Sequence, residues 1–220
     1  MYYPLPPVLI NGIPLPYNHT VKFLGLLVDA KLKWQPHIRY IRSKLSSACG
    51  IMHHIRNKIP LPVSKMIYYS IAFPYINYCS NIWASANTTY FQTLCAAQNK
   101  IIRLMAKIGR RANTSPVYHR LKLLKIIDIL KVNTLMFVYK AKNGIIVSPF
   151  EFNERNVHPY NLRTRNQLHV PNYTSNQSER FLYIRGTKLW NELSVTIRDS
   201  PSIYSFKMKL KKHYLDSYHQ

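Results

Sequence analysis

From Trp34 onward, apolar residues return every third or fourth position: Ile38, Ile41, Leu45, Ala48, Met52, Ile55 and Ile59. Only a helix turning every 3.6 residues puts all of these on one face. The cations Arg39, Arg42, Lys44, Arg56 and Lys58 fall mostly off that stripe. The pattern predicts a long helix with a buried side and a basic side, ended by Pro60 and Pro62. A second helical pattern runs over 63–86, where Pro74 should kink or split it. A third covers 88–108, with Phe91, Leu94, Cys95, Gln98, Ile101, Ile102, Met105 and Ile108 inward, Gly109 as C-cap, and Arg110 and Arg111 just beyond. Thr114-Ser115-Pro116 reads as an N-cap with proline in the first turn of a short helix. A further helix over 128–142 should stop at Asn143-Gly144, with Asp128 at the end where the dipole favours negative charge.

The two ends read differently. Residues 1–20 are proline-rich around an Asn11-Gly12 turn. Residues 21–29 form an apolar run broken by Gly25, which fits a short strand or hairpin with an edge left to pair. Residues 145–178 are dominated by Pro, Asn, His and Arg and read as a long irregular connection. Residues 181–190 carry a heavy apolar load, and 202–215 form an amphipathic helix (Ile203, Phe206, Leu210, Tyr214) with a basic outer face. The expected fold is mainly α: N-terminal strands or a hairpin over 1–33, a helical bundle over 34–144, and a smaller, partly irregular helical region over 145–220. Trp34 and Trp83 are expected in the core, and Trp190 against the C-terminal element.

Charge narrows the function. The chain has 31 Lys and Arg against 8 Asp and Glu, and no acid between Asp29 and Asp128. Such a segment cannot neutralise itself with salt bridges, and a phosphate backbone is the usual partner. Two-metal phosphoryl chemistry needs clustered carboxylates, and these acids are scattered. There is no glycine-rich phosphate loop, and no Ser or Cys nucleophile with an orienting acid is visible. Cys49 and His53 are four apart, but zinc needs a second close pair that Cys79 and Cys95 do not form. No apolar run reaches the length of a membrane span, and no signal peptide is visible. Three sparse cysteines suit a reducing, intracellular compartment, whether nucleus or cytoplasm.

Four blocks in order carry a resemblance: FLGLLVDAKLKWQPHI (23–38), PYINYCSNIW (74–83), AAQNKIIRLM (96–105) and TKLWNELSVTIRDSPSIYSFKMKLKKHYL (187–215), with HPYNLRTR (158–165) matching in character. Together they resemble the C-terminal part of a LINE-type, jockey-like non-LTR retrotransposon reverse transcriptase. The resemblance implies that Phe23, Leu24 and Gly25 belong to the primer grip at the end of the palm. It implies that about 36–108 corresponds to the thumb that tracks the template–primer duplex. Arg39, Arg42, Lys44, Arg56, Lys58, Arg110 and Arg111 are then the candidate nucleic-acid contacts, and RNA and DNA the partners rather than a small-molecule substrate. The family's catalytic aspartates, with the Mg they bind, would lie before Met1 in a missing N-terminal polymerase region. The expectation is a polymerase fragment, inactive alone, with residual template–primer binding. Two other readings stay open: a captured stand-alone basic nucleic-acid-binding module, and a basic membrane-surface or interaction protein. A thumb without its palm should be marginally stable and expose apolar surface near residues 5–30.

Overall fold

The computed structural model of the chain describes residues 6–154 and 167–219; HPYNLRTR and part of the expected irregular connection lie outside them. The N-terminal strands form two separate antiparallel hairpins, β1 (Leu9–Ile10) with β2 (Ile13–Pro14), and β3 (Thr20–Phe23) with β4 (Leu26–Asp29). Each closes through two residues of positive φ, Asn11-Gly12 and Leu24-Gly25. A two-residue turn of that hand matches the twist of the flanking strands. The second hairpin pairs Phe23 with Leu26 and Thr20 with Asp29. Leu26 is buried, while Val8, Leu9, Ile10, Ile13, Leu15, Val21, Phe23 and Leu24 are exposed. Apolar surface is therefore open where the sequence led us to expect it.

Asp29 shapes the entry to the bundle. Its carboxylate accepts the amides of Lys33 (3.0 Å) and Trp34 (2.7 Å), holding a loop in which Leu32 and Trp34 both take positive φ. Helix α1 (Gln35–Ile55) follows. It stops four residues before the Ile59 that continues its stripe, and Lys58 N–H closes a turn on the Ile55 carbonyl. Pro62 does not end α1; it sits in the first turn of α2 (Leu61–Ile71), where a missing N–H costs nothing. The expected 63–86 helix is split into α2, α3 (Phe73–Asn77) and α4 (Ser80–Trp83), with Pro74 at the start of α3. Helix α5 (Thr88–Ala106) is capped by Asn87, whose side chain accepts the Thr89 amide. Its end is a correction: Lys107, not Gly109, takes the left-handed cap conformation. The Ile108 amide reaches the Arg103 carbonyl, and a cap two residues earlier lets Ile108 fold back onto the core.

Helix α6 (Ser115–Leu121) starts after Thr114, but the Thr114 hydroxyl donates to Asn99 rather than capping; the Asn113 side chain accepts the Ser115 amide instead. Helix α7 (Ile126–Lys142) begins two residues before the expected Asp128 and ends at Asn143-Gly144 with Gly144 at φ 65°. After the connection come α8 (Asn176–Glu179), α9 (Leu182–Glu192), α10 (Val195–Arg198) and α11 (Ile203–Asp216), with a 3-10 turn at Ser217–His219.

Helices α1 and α5 lie side by side and run the same way. Trp34 Nε1 donates to Ser85 near the start of both, and the Lys100 charge reaches the Cys49 thiol midway. Their shared seam holds Leu45, Met52, Leu94 and Ile102, each fully buried and each contributing ~1.5–3 kcal/mol of apolar transfer. The first core extends from Leu26 to Leu130 and takes in Leu215 and Tyr218; a second gathers Val132–Tyr139, Leu168, Trp190, Phe206 and Leu210. The chain passes between the two cores within α7. Trp34, Trp83 and Trp190 are all buried.

Candidate nucleic-acid interface

The hairpin tip is docked rather than free. The Tyr78 hydroxyl donates to the Leu24 carbonyl at 2.6 Å, and a Cβ on Gly25 would stand 3.5 Å from the Tyr78 ring. Phe23 (63% exposed) and Leu24 (74% exposed) are left presenting apolar side chains to solvent. The strand behind them packs Leu26 into the core, and the Leu27 amide approaches His37 Nδ1 near the start of α1. Burial pushes the His37 imidazole below its ordinary value.

Helix α1 turns Arg39, Arg42, Ser43, Ser46, Gly50 and His53 outward. Arg39 and Arg42 are three residues apart and so project from one face, separated from the next exposed turn by small side chains. Lys44 is different. It is half-buried on the side of the helix facing α3, with its ammonium over the rings of Tyr40 (5.4 Å) and Tyr75 (5.8 Å). Arg56 and Lys58 occupy the turn after α1, and Arg110 and Arg111 the turn after α5. Because the two helices run in parallel, those four cations share one end of the bundle, where the helix dipoles also favour positive charge. Arg103 ties the second turn down through Ala112 O (3.0 Å). The predicted residues therefore form no single cluster. Apart from Lys44, which is turned to Tyr75, they lie in three groups along α1: the hairpin tip at its start, Arg39 and Arg42 on its outer face, and four cations at its far end, roughly 30 Å away at 1.5 Å per residue.

The acids that border the carboxylate-free stretch are both occupied. Asp29 holds the α1 entry loop, and Asp128 accepts the Tyr218 hydroxyl. Among the described residues the ion pairs are Lys142–Glu154 and Lys188–Glu179, both outside that stretch. Within it lysines instead find aromatic faces: Lys44 over Tyr40 and Tyr75, and Lys125 over Tyr218. Such contacts contribute ~0.5–1 kcal/mol each and leave the charge uncancelled. Among the described residues no three His, Cys, Asp or Glu side chains gather to hold a metal ion. Among them too, no helix is long and apolar enough to cross a membrane.

A further gathering of cations escaped the sequence reading. Lys65, Lys122, Lys207 and Lys211 come from α2, the end of α6 and α11, close enough that the first three repel charge on Lys211. The KMKLKK run at 207–212 was visible as a basic helix face. Its meeting with Lys65 and Lys122 depends on how three separate helices pack.

Comparison with known proteins bears out the resemblance carried by the motifs. The chain is 29% identical over 126 residues to a probable RNA-directed DNA polymerase from transposon X-element of Drosophila melanogaster, covering 56% of this chain and 14% of that protein. It is 30% identical over 118 residues to the RNA-directed DNA polymerase from mobile element jockey of Drosophila funebris, covering 52% of this chain and 12% of the relative. A retrovirus-related Pol polyprotein from type-1 retrotransposable element R1 of Bradysia coprophila is 24% identical over 81 residues, 36% of this chain and 8% of that one. The matched stretch thus spans a small fraction of these relatives' length. No family model matches, and no solved structure matches. By sequence the chain is related to the reverse transcriptases of jockey-like non-LTR retrotransposons.

Proposed function

We propose that the chain is the thumb-bearing C-terminal part of such a polymerase and grips a template–primer duplex or RNA–DNA hybrid through its backbone. In this reading residues 1–33 are the end of the palm with the primer grip, 34–144 the thumb and 145–220 a C-terminal region. The chain's part in this reading is to hold the duplex. The observation that carries the proposal is the arrangement along α1. An exposed apolar tip at Phe23 and Leu24, an Arg39–Arg42 face and a four-cation end follow one another, and the one acid in the sequence between them, Asp29, is engaged by the Lys33 and Trp34 amides. Helix α1 is as long as roughly nine base-pair steps, so a duplex laid along it meets all three groups. Arginine and lysine at that spacing contact phosphates without reading sequence.

Fluorescence anisotropy with a labelled RNA–DNA hybrid tests this. Affinity should fall roughly 100- to 1,000-fold between 50 and 200 mM salt, as counterion release at about five phosphates requires. The double variant Arg39→Glu/Arg42→Glu should weaken binding at every salt concentration and flatten the slope by about two. An affinity indifferent to salt overturns the proposal.

A further inference from the structure

On the other side of the bundle, α2, α3, α7 and α11 enclose a cavity of about 440 Å³. Its walls are apolar. Tyr69 and Phe73 stand at 5.2 Å with their rings inclined by 64°, and the buried Tyr68 lies behind them. Its polar features are few and pointed. Asn133 Nδ2 donates to Asn77 Oδ1 (2.9 Å) and Ser80 Oγ (2.7 Å), which leaves the Asn77 amide nitrogen and the Asn133 oxygen with no hydrogen bond among the described residues. An amide donor and an amide acceptor are the groups that pair with the edge of a nucleobase. The lining includes Lys140, Lys207 and Lys211, and among the described residues no Asp or Glu lines the cavity. Lys65 and Lys122 add to the positive charge around Lys211, where burial and these neighbours together hold the ammonium below its ordinary value. The groove runs on past Lys211 into a smaller cavity of about 270 Å³ beside Lys122 and Lys212, whose one acid among the described residues is Asp216.

We infer that this groove is a second nucleic-acid site, separate from the α1 face. It takes a single strand, with one base held against Tyr69 and Phe73 and the flanking phosphates on Lys140, Lys207 and Lys211. The occupant must be single-stranded because a paired, stacked base cannot enter a cavity of this depth, whereas an unstacked base offers a π-face to any aromatic wall. The charge complement is a polyanion. The recessed apolar walls suit an inserted ring better than a lipid surface, which would need the apolar side chains raised above the cations. The site stands on this geometry and not on the duplex reading of the α1 face.

The test uses the full chain, a labelled uridine-rich RNA 12-mer and an RNA–DNA hybrid of equal length. Lys207→Glu/Lys211→Glu should weaken the single strand at least tenfold and lower its salt slope by about 1.4, at 0.7 per phosphate contact. The Arg39→Glu/Arg42→Glu variant should weaken hybrid binding and keep most single-strand binding, so each site can fail without the other. If the charge-reversed protein does not fold, two measurements replace it: the milder Lys207→Gln/Lys211→Gln, and cross-linking of a 4-thiouridine 12-mer to the unaltered chain. The cross-link is expected in the peptide holding Tyr69 and Phe73. Unchanged single-strand affinity in the folded variants overturns the inference, and so does a cross-link confined to α1. Phosphatidylserine vesicle binding that is lost in Lys207→Glu/Lys211→Glu while RNA binding stays intact overturns it too, and assigns the groove to a lipid surface.

Discussion

Replacing Gln98 with leucine should destabilise the whole bundle while barely changing its shape. Gln98 is 1% exposed at the middle of α5 and joins three other parts of the chain. Its Nε2 donates to the Tyr68 hydroxyl (2.8 Å) on α2 and to the Leu124 carbonyl (3.0 Å), and its Oε1 accepts the Ile126 amide (2.9 Å) that opens α7. Leucine is of similar bulk but makes none of these bonds. Each buried group left without a partner costs ~1–3 kcal/mol. A cavity beside Gln98, lined also by Asn99 and Lys125, lets water reach part of the Leu124–Ile126 segment, and leucine regains some apolar transfer energy. The net loss should be about 2–4 kcal/mol, or roughly 4–16 °C in Tm for a chain of this size. Urea unfolding followed by far-UV circular dichroism measures it, with the m-value expected to stay constant. Tyr68→Phe in the same background closes a double-mutant cycle, with a coupling of about 1 kcal/mol for the shared bond. A loss under ~0.5 kcal/mol for Gln98→Leu would refute the assignment of Gln98 as the joint between α2, α5 and α7, since an exposed substitution costs that much.

Three other outcomes follow from the packing and the hairpin. Burial lowers the His37 pKa, so the unfolded chain takes up the proton first as pH falls; the stability His37 contributes should be whole above 6.5 and be lost below it, and His37→Asn should flatten the pH profile between 6.5 and 5 in urea unfolding. A Cβ at position 186 would sit 2.8 Å from Val138 Cγ2, so Gly186→Ala should destabilise by a net ~1–2 kcal/mol despite alanine's better helix propensity, and Val138→Ala in the same chain should recover part of that loss. Tyr78→Phe should release the Leu24 carbonyl and speed amide hydrogen exchange over 20–29 without altering exchange in α1.

The helical period of 38–55 was plain in the sequence because the stripe faces the core along its length, much of it against α5. The stripe ran on to Ile59 because spacing alone cannot tell a residue on the next helical turn from one in a following loop. Gly109 was chosen as the cap because glycine tolerates positive φ, yet Lys107 takes it, its strain offset by returning Ile108 to the core. The Leu24-Gly25 turn was legible from its glycine, but its docking by Tyr78, 54 residues on, was not. At the candidate interface Arg39 and Arg42 could be placed from helix phase alone. The engagement of Lys44 with Tyr75, and the gathering of Lys65, Lys122, Lys207 and Lys211, follow from contacts between distant segments that no local pattern encodes.

The first core is closed from far along the chain. Leu215 and Tyr218 pack into it, and the Tyr218 hydroxyl accepts the Lys125 amide while donating to Asp128. On a translating ribosome, the bundle through α7 emerges well before these residues do, by roughly 4–15 s at ordinary elongation rates. For that interval a strongly cationic, incompletely sealed helical bundle waits beside the message that encodes it. Under the proposed function, the RNA nearest to it during that interval is its own transcript.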